Sequence, residues 1–287
     1  MASTASELDL LREAGVDVHL VPLERGPVFV NIERPEGRLQ LCHSPSDPVP
    51  TEVVPDEWRD AKGWLLVPVA GELPADWADA PPPDALVALG WQGLLRELTA
   101  GEAVGHVRPG PDPVVARADL AGLSRDDVDR GVEIGELTGF LRDAATLVVT
   151  QGDRGGLVAR QIYGVLRLRH YPAVRSHDPV DATGAGDVFL ATLAAARIEP
   201  RLVGGRLAAG YDLLMAAAAA SLVLEGRGML GVPERAAVRA RMTEAARSWA
   251  VERANAPGGA PGGGGSPEPS SGALSEGPDP STPAPGG

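Results

Sequence analysis

The sequence predicts an α/β fold: a mostly parallel sheet flanked by helices, with a small β lid near the N-terminus and a disordered C-terminal tail. Three observations carry this. Short, continuous apolar runs at residues 64–69, 85–89 and 146–150 read as buried strands. Alanine-rich stretches after Asp187 and at 206–224 read as helices, the first with Val188, Leu190, Leu193 and Ala194 on one stripe. Three strand-like segments crowd into residues 16–42, ahead of the α/β repeat, which suits a flap over a site. The chain has 287 residues, 44% of them hydrophobic but only 4% aromatic, so a sizeable core is built mainly from Ala, Val and Leu.

The elements follow in order. Residues 7–14 form a short helix that Gly15 ends. Residues 16–21 alternate apolar and polar, and 28–32 and 39–42 are two more strands around a turn at 35–38. The lid therefore spans about 16–43. The strand at 64–69 leads into a loop at 71–74, a weak helix from Trp77 and the rigid spacer Pro81-Pro82-Pro83. The strand at 85–89 ends in G-W-Q-G-L-L-R, residues 90–96, and strand carboxyl ends line the ligand crevice in open parallel sheets. Residues 116–120 read as a strand. Ser124 then caps a helix with acids in its first turn. After the β-branched strand at 146–150 come a glycine-rich turn at 151–156, a partner strand from 157 and a strand at 165–170. A helix at 233–251 has Pro at its first turn. From residue 254 the chain is Gly, Pro, Ser and Ala, and it buries too little to offset its ordering entropy. The division is a domain at 1–253 and a disordered tail at 254–287.

Charge and composition exclude several functions. A formal charge of −13 argues against non-specific nucleic-acid or membrane-surface binding. It does not argue against a nucleotide site, where amides and Mg²⁺ neutralise phosphate locally. Cys42 is the single cysteine, so there is no intrachain disulfide framework and no multi-cysteine zinc site. The N-terminus has neither a basic start nor an apolar run, and the apolar stretch at 207–224 is broken by Gly210, Tyr211 and Asp212. The expectation is a soluble cytoplasmic protein. A Rossmann dehydrogenase is disfavoured, because no G-x-G-x-x-G follows an early strand.

The chain is organised around residues 178–197, D-P-V-D-A-T-G-A-G-D-V-F-L-A-T-L-A-A-A-R. Small residues at 183–186 run into a helix, so the first unpaired backbone N–H groups and the positive end of the helix dipole meet where no bulky side chain intervenes. That is a place for an anion such as a phosphate. Asp187 is open to two readings here. It caps the helix, or it takes a proton from a hydroxyl attacking a bound phosphoryl group.

D-A-T-G-A-G-D-V-F resembles the C-terminal signature of the ribokinase (PfkB) carbohydrate kinases, D-T-T-G-A-G-D-x-F, with Ala182 in place of a Thr. The resemblance implies a ribokinase-like sheet, with the amides of Gly184, Ala185 and Gly186 as an anion hole and Asp187 as catalytic base. It implies ATP and Mg²⁺ as cofactors, and near Asp181 a monovalent cation. T-Q-G-D-R-G-G-L resembles the family's T-x-G-x-x-G segment, which makes Thr150, Gly152 and Gly155 nucleotide contacts; Gly226 and the helix before it fall where adenine packs. Residues 90–96 resemble D-x-Q-G-x-x-R with Gly90 for the Asp. Gln92 and Arg96, like Asp181, then face substrate or phosphate, or Arg96 joins a surface ion pair. At the place of the N-x-x-E motif the chain has Ser124 and Asp127. Asp127 is then linked to Mg²⁺ through water, or it simply opens a helix.

The expected partner is a sugar or polyol, with neither nucleic acid nor membrane, and a homodimer through the lid. The family's opening strand and G-G-x-x-x-N segment have no match here, so the expectation includes a missing N-terminal βαβ unit, from a truncated gene model or a shortened paralogue. The function implied is ATP-dependent phosphorylation of a hydroxyl on a sugar or small alcohol. The alternative is a catalytically inactive, nucleotide-binding paralogue that acts as a regulatory or binding protein.

Overall fold

The structure, a computed structural model, describes residues 5–34, 37–203 and 210–255. The chain divides into a unit at Met1–Ser248 and a unit at Trp249–Gly287; of the second, only the end of the last helix is described. Of the tail expected at 254–287, Ala254 and Asn255 end the last helix and 256–287 lie outside the described residues, as do the turn residues 35–36.

Helix α1 (Ala5–Glu13) ends at Gly15, whose φ of +81° needs no Cβ penalty and whose N–H meets the Arg12 carbonyl. Strands β1 (Val28–Arg34) and β2 (Gly37–Ser44) pair antiparallel as a hairpin. The strand expected at 16–21 is absent: these residues carry no regular structure. Val16 and Leu20 stay 46% and 57% exposed. Alternation favours a strand only where one side-chain face has something to pack on. The lid hairpin thus begins at Val28, not at residue 16.

The main sheet is six-stranded. It uses β3 (Gly63–Leu66), β4 (Leu86–Gly90), β7 (Leu120–Ser124), β8 (Thr146–Thr150), β9 (Gly156–Ile162) and β10 (Val165–Tyr171), in the order β10-β9-β8-β7-β4-β3. β3, β4, β7 and β8 run parallel, and β9 and β10 add antiparallel. Two short strands, β5 (Arg96–Glu97) and β6 (Gly105–His106), pair beside the lid. Backbone bonds from Cys42 N–H to Glu102, from Gly101 N–H to Cys42 and from Val104 N–H to Gln40 stitch β2 to that segment.

Three further expectations are corrected. The strand from Trp64 stops at Leu66; Pro68, without an N–H, cannot continue a ladder. The expected strand at 116–120 is instead helix α2 (Pro113–Arg117) followed by β7, because the Asp112 side chain accepts from the Val114 and Val115 amides with Pro113 at the first turn. The helix expected after Ser124 is a single 3-10 turn, Arg125–Asp127, closed by a capping box. Helix α3 (Ile134–Gly139) follows.

One face of the sheet, with Val87, Leu89, Ala121, Leu123, Leu147 and Val149, packs on Val114, Val115 and Leu137 of α2 and α3. The other face takes α4 (Ala185–Ile198), which packs beside α5 (Tyr211–Val223) and is followed by α6 (Arg235–Asn255). Leu193, fully buried there, contributes about 2 kcal/mol by burial. Three contacts set the direction of α4. Leu190 lies over Gly122, the middle residue of β7. Arg197 Nη1 donates to Thr146 Oγ1 at the start of β8, at 3.0 Å, and Ile198 lies against Gly63 at the start of β3. The helix therefore runs antiparallel to the parallel strands, and its N-terminus points to their carboxyl edge. No described helix is long and apolar enough to cross a membrane.

Candidate active site

The turn at the carboxyl edge is built by short-range bonds. Asp181 Oδ1 accepts from the Thr183 N–H at 2.9 Å. Gly184 is the N-cap of α4, with φ +83° and ψ −4°, a conformation that favours glycine. The Ala185 N–H reaches back to Ala182 at 3.3 Å, and the Val188 N–H donates to Gly184 at 2.9 Å. Between them the amides of Gly186 and Asp187 lie in the first helical turn, where the helix offers no carbonyl.

Gly186 has an ordinary φ, and a Cβ built on it meets nothing within 4 Å. Neither backbone nor packing asks for glycine there. What its absence of side chain does is leave the amide face bare.

The cap position belongs to Gly184, so Asp187 is the third residue of the helix. Its carboxylate is reached by solvent, yet protein surrounds it closely enough for burial to push its carboxyl up; Arg96 pulls it back and Asp127 pushes it up further. Exposure with desolvation is what the wall of an open cleft produces, and we read Asp187 in that way.

Arg96 faces it. Burial pulls the guanidinium down, while Asp127, Glu72 and Asp187 hold its charge. Arg96 Nη1 donates to the Val69 carbonyl at 2.8 Å, and its guanidinium lies 5.4 Å from the centroid of the lid residue Phe29. Glu72 accepts from the Val69 and Ala70 amides at 3.0 Å and 2.7 Å, which fixes the loop that Arg96 grips. Gln92 Nε2 donates to Asp127 Oδ1 at 2.9 Å, and Asp127 Oδ2 accepts from the Ser124 N–H at 2.7 Å.

Four candidates from three stretches, Gln92 and Arg96 on one, Asp127 and Asp187 on the others, are thus neighbours through one charge network. Beside it lies a cavity of about 440 Å³, lined among others by Leu39 and Gln40 of the lid, Gln92, Arg96, His106 and Asp127.

Glu72, Phe29 and Gln40 were not singled out from sequence. The signal for Glu72 was available: an acid just past a parallel strand's carboxyl end. Gly93 has a packing reason. A Cβ there would overlap the Pro68 carbonyl and the Val69 amide, so the 90–96 segment lies directly on the loop. Gly93→Ala should destabilise the fold by about 2 kcal/mol or more, read as a drop in Tm. An unchanged Tm would show that the loop is not fixed there.

The nucleotide-side candidates lie on the same edge of the sheet. Thr150 pairs with Ser124 across the ends of β8 and β7, and its Oγ1 lies 3.4 Å from the Leu123 carbonyl. Gly152 and Gly155 have φ of +59° and +83° around a 3-10 turn. A Cβ at Gly155 would overlap the Tyr171 carbonyl, and one at Gly226 would overlap Gly231 Cα. These two glycines serve packing whatever else they touch. Gly226 stands two residues after Leu224, whose carbonyl accepts from both Val180 and Asp181.

Among the described residues, no group of three or more His, Cys, Asp or Glu side chains is arranged to hold a metal ion. Each Asp127 oxygen already accepts one bond and keeps a lone pair. That fits a water-mediated approach to a cation rather than direct chelation.

The family model described as pfkB family carbohydrate kinase matches residues 118–234. No curated protein matches the chain by sequence. Among solved structures, a ribokinase from Thermotoga maritima superposes with a TM-score of 0.59 at 15% identity, covering 82% of this chain and 76% of that one. A nucleoside kinase from Burkholderia thailandensis, solved with inosine, gives 0.55 at 17%, covering 84% and 76%. A pyrophosphate-dependent kinase in the ribokinase family, solved with sulfate, gives 0.59 at 18%, covering 82% and 81%. At such identities the likeness is one of fold. The matched residues include Asp127, the 150–155 bend, the Gly184–Asp187 turn and Gly226, but not Gln92 or Arg96. The chain thus has the fold of the ribokinase-family kinases, and its residues 118–234 match the family model of the pfkB carbohydrate kinases.

Proposed function

We propose that this protein transfers a phosphoryl group from ATP to a hydroxyl of a sugar or related small alcohol by in-line displacement. The observation that carries the reading is the pairing at the start of α4: a bare amide face at Gly186 and, one residue on, a carboxylate that is not the helix cap and is pushed up by burial. Phosphoryl transfer asks a protein chiefly for alignment and charge stabilisation. The amides of Gly184, Gly186 and Asp187 hold the oxygens of the transferring group, that of Ala185 joining them when it leaves the Ala182 carbonyl, and the Asp187 carboxylate accepts the proton of the attacking hydroxyl. Thr150, Gly152, Gly155 and Gly226 border the nucleotide. Gln92 and Arg96 orient the acceptor in the cavity under the lid, and Asp181 fixes the turn. Asp127 would hold Mg²⁺ through water, and the ion would supply neutralisation of the charge that develops on the transferring group. The hairpin β1–β2 keeps water from the transferring group.

The solved relatives supply context for the acceptor class: one ribokinase, from Arabidopsis thaliana, was solved with ribose and ATP, and the Burkholderia nucleoside kinase with inosine. The test is a panel of pentoses, hexoses, nucleosides and polyols with ATP or pyrophosphate and Mg²⁺, read as phosphorylated product. Product from at least one acceptor with ATP is expected, and none from any would overturn the reading. The second reading, nucleotide binding without transfer, is favoured by Asp127 closing onto Ser124 and Gln92. ATP binding with an empty panel would select it.

A further inference from the structure

We propose that Arg241 is a positioning residue for the phosphoryl-transfer turn: from α6 it fixes, through Glu225, the segment that leads into Gly184–Asp187. The inference rests on the function proposed above for that turn.

Between the end of β10 and the start of α4 the chain has neither ladder nor helix to hold it. Its place is set by bonds to the end of α5 and to α6. Arg241 is only 6% exposed. Its Nη2 meets both oxygens of Glu225, at 2.9 and 3.1 Å, and its Nη1 donates to the Arg175 carbonyl at 3.1 Å and to Ser221 Oγ at 3.0 Å.

Glu225 Oε1 then accepts from Ser176 Oγ at 3.1 Å and from the His177 N–H at 2.7 Å. Glu244 closes the ring, with Oε2 at 3.5 Å from Arg241 Nε and Oε1 at 2.8 Å from His177 Nε2. One residue before Glu225, the Leu224 carbonyl accepts from the Val180 and Asp181 amides at 2.6 and 3.1 Å. Asp181 in turn holds Thr183. A continuous run of bonds therefore links α6 to the residue before the N-cap of α4.

A part-buried ion pair, here between buried Arg241 and half-buried Glu225, is a weak source of stability, since apolar replacements often match it. What this one supplies is a fixed geometry. Arg241 presents a planar fork that meets a carboxylate, a carbonyl and a hydroxyl together, which an ammonium cannot do. It touches no reacting atom. It determines where the turn amides and the Asp187 carboxylate stand relative to the sheet edge.

The experiment uses the full chain with Arg241→Lys, Glu225→Gln and the milder Ser176→Ala, and Arg239→Lys on the exposed side of α6 as control. Two readouts are taken below the melting range. Amide hydrogen exchange across residues 176–187 should speed up about tenfold or more, with β8 and β9 unchanged. In the acceptor assay kcat should fall about tenfold to a hundredfold with the acceptor KM little changed, since misplacement acts on alignment more than on binding. Ser176→Ala should move both readouts less and in the same direction, and it answers for Arg241→Lys if that variant does not fold. Exchange that stays at the wild-type rate, or rises equally over the whole sheet, overturns the proposal, as does a loosened turn with unchanged kcat. If the wild type phosphorylates nothing, the kinase reading fails on its own, and the exchange data still decide whether Arg241 fixes the turn.

Discussion

Asp187→Asn should lower kcat about a hundredfold to ten-thousandfold while leaving the chain at least as stable as before. Both halves follow from the same environment. The carboxylate stands at the third position of α4, outside the cap role, with Arg96 and Asp127 near enough to act on its charge. In the proposed reaction it is the group that takes the acceptor's proton, which the amide of Asn cannot do. As a group in the fold it is a charge that burial disfavours, so its folded pKa lies above the unfolded one.

The sign follows from proton linkage. The folded state binds this proton more tightly than the unfolded state. Stability from this site is then greatest below the ordinary carboxylate range and is lost as pH rises through the raised folded value. Asn removes that loss at neutral pH. Arg96 gives up one of three carboxylates but keeps Asp127 and Glu72. The same shift moves the acid limb of the rate profile: kcat/KM, which reports the free enzyme, should fall on acidification at a pH above that of an ordinary Asp. Kinetics and denaturant unfolding of both proteins, at pH 7 and at acid pH, check all three statements. Unchanged turnover would remove Asp187 from the chemistry. A large loss of stability at pH 7 would make it a structural residue instead.

Local order was legible wherever neighbours in sequence decide it. The turn-to-helix stretch at 183–198, the β-branched strand β8 and the glycine-rich bend after it all follow from side-chain type and spacing. The two readings of Asp187 were not separable in that way. They are separated by the left-handed conformation of Gly184, which takes the cap position and leaves Asp187 as the third residue of the first turn. Residues 16–21 misled because alternation reports a possible strand but not whether a buried face awaits it; with Val16 and Leu20 in solvent there is none. The Asp112-Pro113 start of α2 was a readable helix signal that the apolar run after it obscured. The convergence of Arg96, Asp127 and Asp187 lies beyond local reading altogether. It needs β4 and β7 side by side and α4 running back across them, which sheet order settles and spacing does not.

Gly186→Ala should separate binding from folding at the other half of the site. The position has an ordinary φ, and its side-chain direction is empty to 4 Å, so a methyl group meets no protein atom and strains no backbone. Inside a helix, Ala is favoured over Gly by up to about 1 kcal/mol, and less in the first turn, so Tm should hold or rise slightly. If the bare amides of Gly186 and Asp187 receive a phosphoryl oxygen, the methyl group stands in the approach to them. Loss of one such donor costs about a hundredfold to a thousandfold in rate. The expected result is therefore a stable protein with kcat/KM reduced by about that factor, measured with the acceptor that the panel identifies.

Gly184→Ala is the contrasting variant. With φ at +83° it should lose both activity and stability, because Ala is strained there whatever the turn binds. A Gly186→Ala protein that turns over at the wild-type rate would mean that no anion uses these amides, and the placement of the transferring group at the start of α4 would fall with it.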